Sequence, residues 1–97
     1  MMTEEEMNAH AEDVVKRAFS SLCDLLEHAP RYEFIPNFTD GFLLGCAYGL
    51  TRERTETFLE NGDITRQEAR ALHCKTSQVL KRQKEKLRDM MENSDDC

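Results

Sequence analysis

Phe58-Leu59-Glu60-Asn61-Gly62-Asp63-Ile64-Thr65-Arg66-Gln67-Glu68-Ala69 reads as the end of one helix, a tight turn and the start of another. Glycine takes the left-handed backbone that closes a helix without a Cβ clash, and Gly62 sits where that closure falls. Thr65 and Glu68 have the T-x-x-E spacing of a capping box: the threonine oxygen accepts from the N–H of Glu68, and the glutamate reaches back to the N–H of Thr65. Ile64 stands at the staple position just before it. The expectation is an antiparallel helical hairpin within an all-α fold, a small bundle of three to four helices.

Upstream, Thr3 and Glu6 repeat the T-x-x-E pattern, with acids placed against the positive end of a helix dipole. Met7, Ala11, Val14, Ala18, Leu22 and Leu25 then recur at steps of three and four, and Val15, Phe19 and Leu26 widen the stripe. This predicts a helix over 4–28, stopped by Pro30, since the residue before a proline avoids helical geometry. Segment 31–38 is irregular. Pro30 and Pro36 bracket Tyr32, Phe34 and Ile35, with Phe38 just beyond. It reads either as a linker whose rings plug one end of the core or as an exposed contact loop, because aromatic side chains are favoured interface anchors.

A second helix is expected from Thr39 or Asp40. Gly41, Gly45 and Gly49 lie on one side of it. Each glycine inside a helix costs about 0.5–1 kcal/mol relative to alanine, so the triplet predicts the close approach of another backbone, within the fold or across a seam to another chain. A break at Gly49, with Thr51 capping a short helix over 52–60, is the alternative. The third helix is expected over 66–92. Its first half has core spacing at Ala69, Leu72, Thr76, Val79 and Leu80. Its second half is basic, with Lys81, Arg82, Lys84, Lys86 and Arg88 and only Leu87, Met90 and Met91 to continue the stripe. The expected core comprises Val14, Ala18, Leu22, Leu25, Phe42, Cys46, Leu50, Phe58, Leu72, Val79 and Leu80. Residues 1–92 are expected to form one helical domain, with 93–97 a frayed tail.

The formal charge of −6 conceals a polarity: residues 1–63 carry 13 acids against 5 bases, and residues 64–92 carry 8 bases against 4 acids. Overall acidity repels phosphates, which argues against general nucleic-acid or membrane binding and suits a basic partner surface. Cys23, Cys46, Cys74 and Cys97 form no C-x-x-C pair, and zinc therefore has no nucleus; free thiols in a reducing cytoplasm are expected, three half-buried in helices and one on the tail. The acidic start resembles no signal peptide, and the longest apolar run, 42–50, falls far short of the ~20 residues that span a bilayer.

No nucleophile, base and orienting group share a motif. His73 and Cys74 are neighbours about 100° apart on a helix, which prevents an activated pair. His10 with Asp13 or Glu6, and Asp24 with His28, lie one turn apart, but two ligands do not make a metal site. There is no phosphate-cradling glycine loop. No catalytic residue, cofactor or metal is assigned, and the chain is expected not to be an enzyme. Arg66, Gln67 and Arg70 at the start of the third helix invite comparison with a DNA-reading helix, but Glu53, Glu56, Glu60, Asp63 and Glu68 crowd that surface.

Residues 59–68 resemble the helix–G-x-I-T-x-x-E–helix hairpin of the short oligomerisation modules of the SHOCT type, which implies a hairpin able to mediate association. The leading expectation for function is a non-enzymatic protein that binds and modulates a larger host protein. Its size and charge are analogous to those of phage- and plasmid-encoded inhibitors of host nucleases and defence enzymes. Candidate partner-binding residues are Tyr32, Phe34, Phe38, Lys81, Arg82, Lys84 and Arg88. A homodimeric adaptor and a weak nucleic-acid binder working through 81–88 are the alternatives.

Overall fold

The chain is all-helical, with three long helices. The structure, a computed structural model, describes residues 2–94, with the side chains of Glu33 and 87–94 excepted. Helix α1 spans Glu4–His28, α2 spans Phe38–Glu60 and α3 spans Arg66–Ser94; a single 3-10 turn, Pro30–Phe34, joins α1 to the approach of α2. Among the described residues there is no strand. The tail at 95–97, Cys97 included, lies outside the described residues, as do the side chains of Leu87, Arg88, Met90 and Met91.

Each boundary follows from local chemistry. Thr3 is the N-cap of α1 in extended conformation, and its oxygen accepts the N–H of Glu6 at 3.1 Å. Here the box is half-made: the Thr3 hydroxyl donates to the Glu6 carboxylate instead of the backbone N–H doing so. At Thr65 both halves form, with Glu68 N–H to the threonine oxygen at 3.2 Å and Thr65 N–H to the Glu68 carboxylate at 3.0 Å. Helix α2 closes in the six-to-one pattern of a glycine-terminated helix: Asp63 N–H donates to the Phe58 carbonyl at 2.9 Å, Gly62 N–H to that of Leu59 at 3.1 Å, and Gly62 has φ +73°. Asn37 opens α2 at φ 61°, one of the few residue types that tolerates this region.

The three helices pack pairwise around one core. It is built from Ala11, Val14, Val15, Ala18 and Leu22 of α1, Leu43 and Ala47 of α2, and Val79 and Leu80 of α3. Leu72 and Ala69 continue it along α3, and Ile64 seals the turn. Alanines at 11, 18 and 47 let the helix axes approach.

Helix α2 excludes one alternative and corrects one expectation. It is continuous through Gly49. Its inward stripe is Leu43, Ala47, Thr51 and Thr55, one position away from Phe42, Cys46 and Leu50. Those three, with Phe58 and Leu25, are half-buried on the flanks. The small side chains face the centre because three helix axes converge there, and the larger rings close the sides. Thr51 and Thr76 enter the core at little expense, each hydroxyl donating to the carbonyl four residues back, Ala47 at 2.7 Å and Leu72 at 2.9 Å.

The molecule measures 50 × 27 × 18 Å with a radius of gyration of 15.3 Å. A spherical domain of this length would have about 12.5 Å.

Candidate interaction surface

Successive helical residues turn by 100°, so a stripe two positions from the core stripe points away from it. Gly41, Gly45 and Gly49 stand in that relation to Leu43, Ala47 and Thr51. They are exposed, and a Cβ on any of them would meet nothing within 4 Å. This corrects the expectation of a tight internal seam: no backbone among the described residues comes close to them. Beside the glycines, Leu44 and Tyr48 are 58% and 56% exposed. The outer side of α2 is therefore smooth, apolar and uncovered.

Helix α3 runs alongside this stripe. Its residues one position beyond the core set are Arg66, Arg70, His73, Ser77, Lys81 and Lys84, separated by four, three, four, four and three residues. The His73 ring lies 5.5 Å from that of Tyr48. Between the helices a groove runs as three joined depressions. A depression of about 500 Å³ is lined by Arg52, Arg66 and Arg70 among others. A narrow neck at Tyr48, Thr51, His73 and Thr76 connects it to one of about 360 Å³ at Leu44, Ser77, Lys81 and Lys84.

The charges along this groove are not equivalent. Arg52 binds Glu56 at 2.9 Å, and that hydrogen bond raises its pKa further above the usual arginine value. Lys84 binds Asp40 at 2.7 Å. Arg66, Arg70 and Lys81 make no salt bridge among the described residues, although Glu56 lines the depression of the two arginines and Glu85 that of Lys81, so basic residues outnumber acidic ones along the groove.

The remaining candidates are distributed elsewhere. Tyr32 and Phe38 stack at 5.1 Å with nearly parallel rings, and Phe38 passes on to Phe42 at 5.8 Å. Phe38 and Phe42 are half-buried, so part of this segment does close the end of the core. Phe34 turns outward, 83% exposed, with Ile35 beside it. Arg82 is exposed. The structure does not bring the aromatic turn and Lys81 into one site. Arg88 falls outside the described side chains.

The would-be metal pair His10 and Asp13 is engaged by Arg54, which donates one N–H to His10 Nδ1 at 3.0 Å and forms an ion pair with Asp13. Arg54 first, and Arg17 second, hold the Asp13 carboxyl below its ordinary range. Phe58 meets His10 edge-on at 5.2 Å. This cluster fastens α1 to α2. Of the thiols, Cys46 is half-buried, whereas Cys23 and Cys74 are exposed, which corrects the expectation of three half-buried ones. No described helix is long and apolar enough to cross a membrane.

Leu44, Tyr48, Arg66, Arg70 and His73 were not singled out as one surface by the sequence. The signal that points to it is the 4-3-4-4-3 spacing of the α3 residues, read together with the i, i+4 pair on α2. No protein-family model matches the chain, and neither does any curated protein or solved structure. The likeness to the oligomerisation hairpin therefore rests on residues 59–68.

Proposed function

We propose that this protein is a non-enzymatic interaction module, a small acidic helical protein that binds a larger protein in the cytoplasm and modulates it. Its scaffold is an antiparallel α2–α3 hairpin with a long basic C-terminal helix. Support for the antiparallel reading comes from the cross-helix pairs Asp40–Lys84 and Thr51–Thr76, whose numbers run in opposite directions. The observation that carries the functional reading is the outer side of α2. Three glycines there weaken the helix by about 0.5–1 kcal/mol each. Nothing among the described residues uses the room they leave, and Leu44 and Tyr48 stand exposed beside them. Size and charge suit a phage- or plasmid-encoded inhibitor of a host nuclease or defence enzyme, with the acidic start of α1 matching a basic channel.

The test is affinity capture from cell lysate with the intact chain and with Gly45→Leu. Capture of one larger protein by the former and its loss in the latter, at unchanged circular dichroism, is the expected result. Equal capture by both, or none by either, overturns the reading.

The same glycine stripe favours a second reading, a homodimer in which two α2 helices cross glycine to glycine. Sedimentation equilibrium that returns a concentration-independent monomer mass excludes it.

A further inference from the structure

We propose that the groove between α2 and α3 is the seat of an acidic, amphipathic helix from a partner protein, packed as a fourth helix on the bundle. This rests on the interaction-module reading and adds the chemistry and location of the partner. The groove is continuous, because its neck shares Tyr48 and His73 with one depression and Leu44 and Ser77 with the other. From Arg66 to Lys84 it runs about 27 Å at 1.5 Å per residue, the length of five helical turns. Its floor is apolar at Leu44, Ala47 and Leu80.

Charge complementarity names the occupant. The α3 rim advances by four, three, four, four and three residues, close to the 3.6-residue period that keeps a stripe on one side of a helix along its length. In seams between packed helices the flanking positions select partners of opposite charge. The rim residues without a salt bridge among the described residues are Arg66, Arg70 and Lys81, so the partner presents glutamate or aspartate there and leucine-like residues toward Leu44 and Tyr48. Arginine adds bidentate pairing with carboxylates. A polynucleotide fits less well. It has no leucine-like side chains to cover the exposed Leu44 and Tyr48, whereas Glu56 and the charge of −6 bear on either occupant alike.

The test uses a labelled three-heptad helical peptide with leucine at its seam and glutamate at its flanks. A matched peptide carrying lysine at the flanks and a short single-stranded oligonucleotide serve as the other probes, and binding is read by fluorescence anisotropy. The glutamate peptide is expected to bind and the lysine peptide not. Arg66→Glu/Arg70→Glu is expected to weaken binding about tenfold or more, as loss of opposed interface charges does. Glutamate at these positions suits the first turns of α3, so the variant keeps its fold. The proposal is overturned if the lysine peptide binds equally, if neither peptide binds, if the charge reversal changes nothing, or if the oligonucleotide displaces the glutamate peptide. Binding that survives the charge reversal but is lost in Phe34→Ala sinks the groove while leaving the interaction module standing. Failure of the module itself is read from the Gly45→Leu capture.

Discussion

The hydroxyl oxygens of Thr51 and Thr76 lie 3.3 Å apart, on facing helices, with both side chains buried. Each has one proton, and each already has a shorter bond to its own helix, at 2.7 and 2.9 Å. The cross-helix contact is thus the weaker use of both groups. Replacing both partners by apolar groups of the same shape is close to neutral when nothing is left unsatisfied. Thr51→Val/Thr76→Val is therefore expected to stay within about 1 kcal/mol of the parent chain. Urea unfolding monitored by circular dichroism checks this, and a much lower midpoint would show that the hydroxyl pair carries real stability.

Glu68 serves two helix starts. One oxygen takes the N–H of Met2 at 2.7 Å and the other takes that of Thr65 at 3.0 Å. The Met2 bond first, and the Thr65 bond second, depress its pKa below the ordinary 4.5. A carboxylate lowered on folding stabilises above its unfolded pKa, and the contribution disappears as pH falls through the lower folded value. The melting temperature of the parent chain should fall as pH drops below 4.5, and Glu68→Gln should flatten part of that fall. Asp13, lowered by Arg54 and Arg17, leaves a residual slope of the same sign. Parallel pH profiles for the two proteins would refute the assignment.

Gly45→Ala should raise the stability of the isolated chain by about 0.5–1 kcal/mol, because a Cβ there enters open space inside a regular helix. Gly62→Ala should do the opposite by about 1 kcal/mol, since its φ of +73° is costly for alanine. The contrast between two glycines only 17 residues apart is read in one pair of thermal melts. Stabilisation at position 62 or loss at position 45 would contradict the backbone geometry.

Leu43 is 1% exposed and stands where all three helices converge. Leu43→Ala should cost about 2–5 kcal/mol, a large part of the stability of a domain this small. Phe42→Ala, one residue away on the flank, should cost less. Chemical unfolding of the pair decides which residue points inward, and the reverse order would restore the flank residues as the core.

Helices α1 and α3 were legible because most of their described large apolar residues fall on one side. Val14, Ala18 and Leu22 recur in the core, as do Leu72 and Val79, and apart from the buried Thr76 the polar residues between them are exposed or half-buried. Helix α2 was not legible in this way. It buries Thr51 and Thr55 and exposes Leu44 and Tyr48, so apolar residues lie on opposite sides and periodicity has little to grip. Bulk misled as well, since Phe42 and Phe58 look like core residues whereas Ala47 occupies the centre. The groove was harder still. The run 81–88 is conspicuous as a block, but Arg66, Arg70 and His73 line up only once the chain is wound, and their relation to Tyr48 crosses two helices.

The 50 Å long axis against a short axis of 18 Å has a hydrodynamic consequence. A particle of that aspect ratio drags more solvent than a sphere of 11.3 kDa. On a sizing column calibrated with globular standards, the monomer will elute early and mimic a heavier species. Light scattering, which weighs the particle directly, will read its true mass.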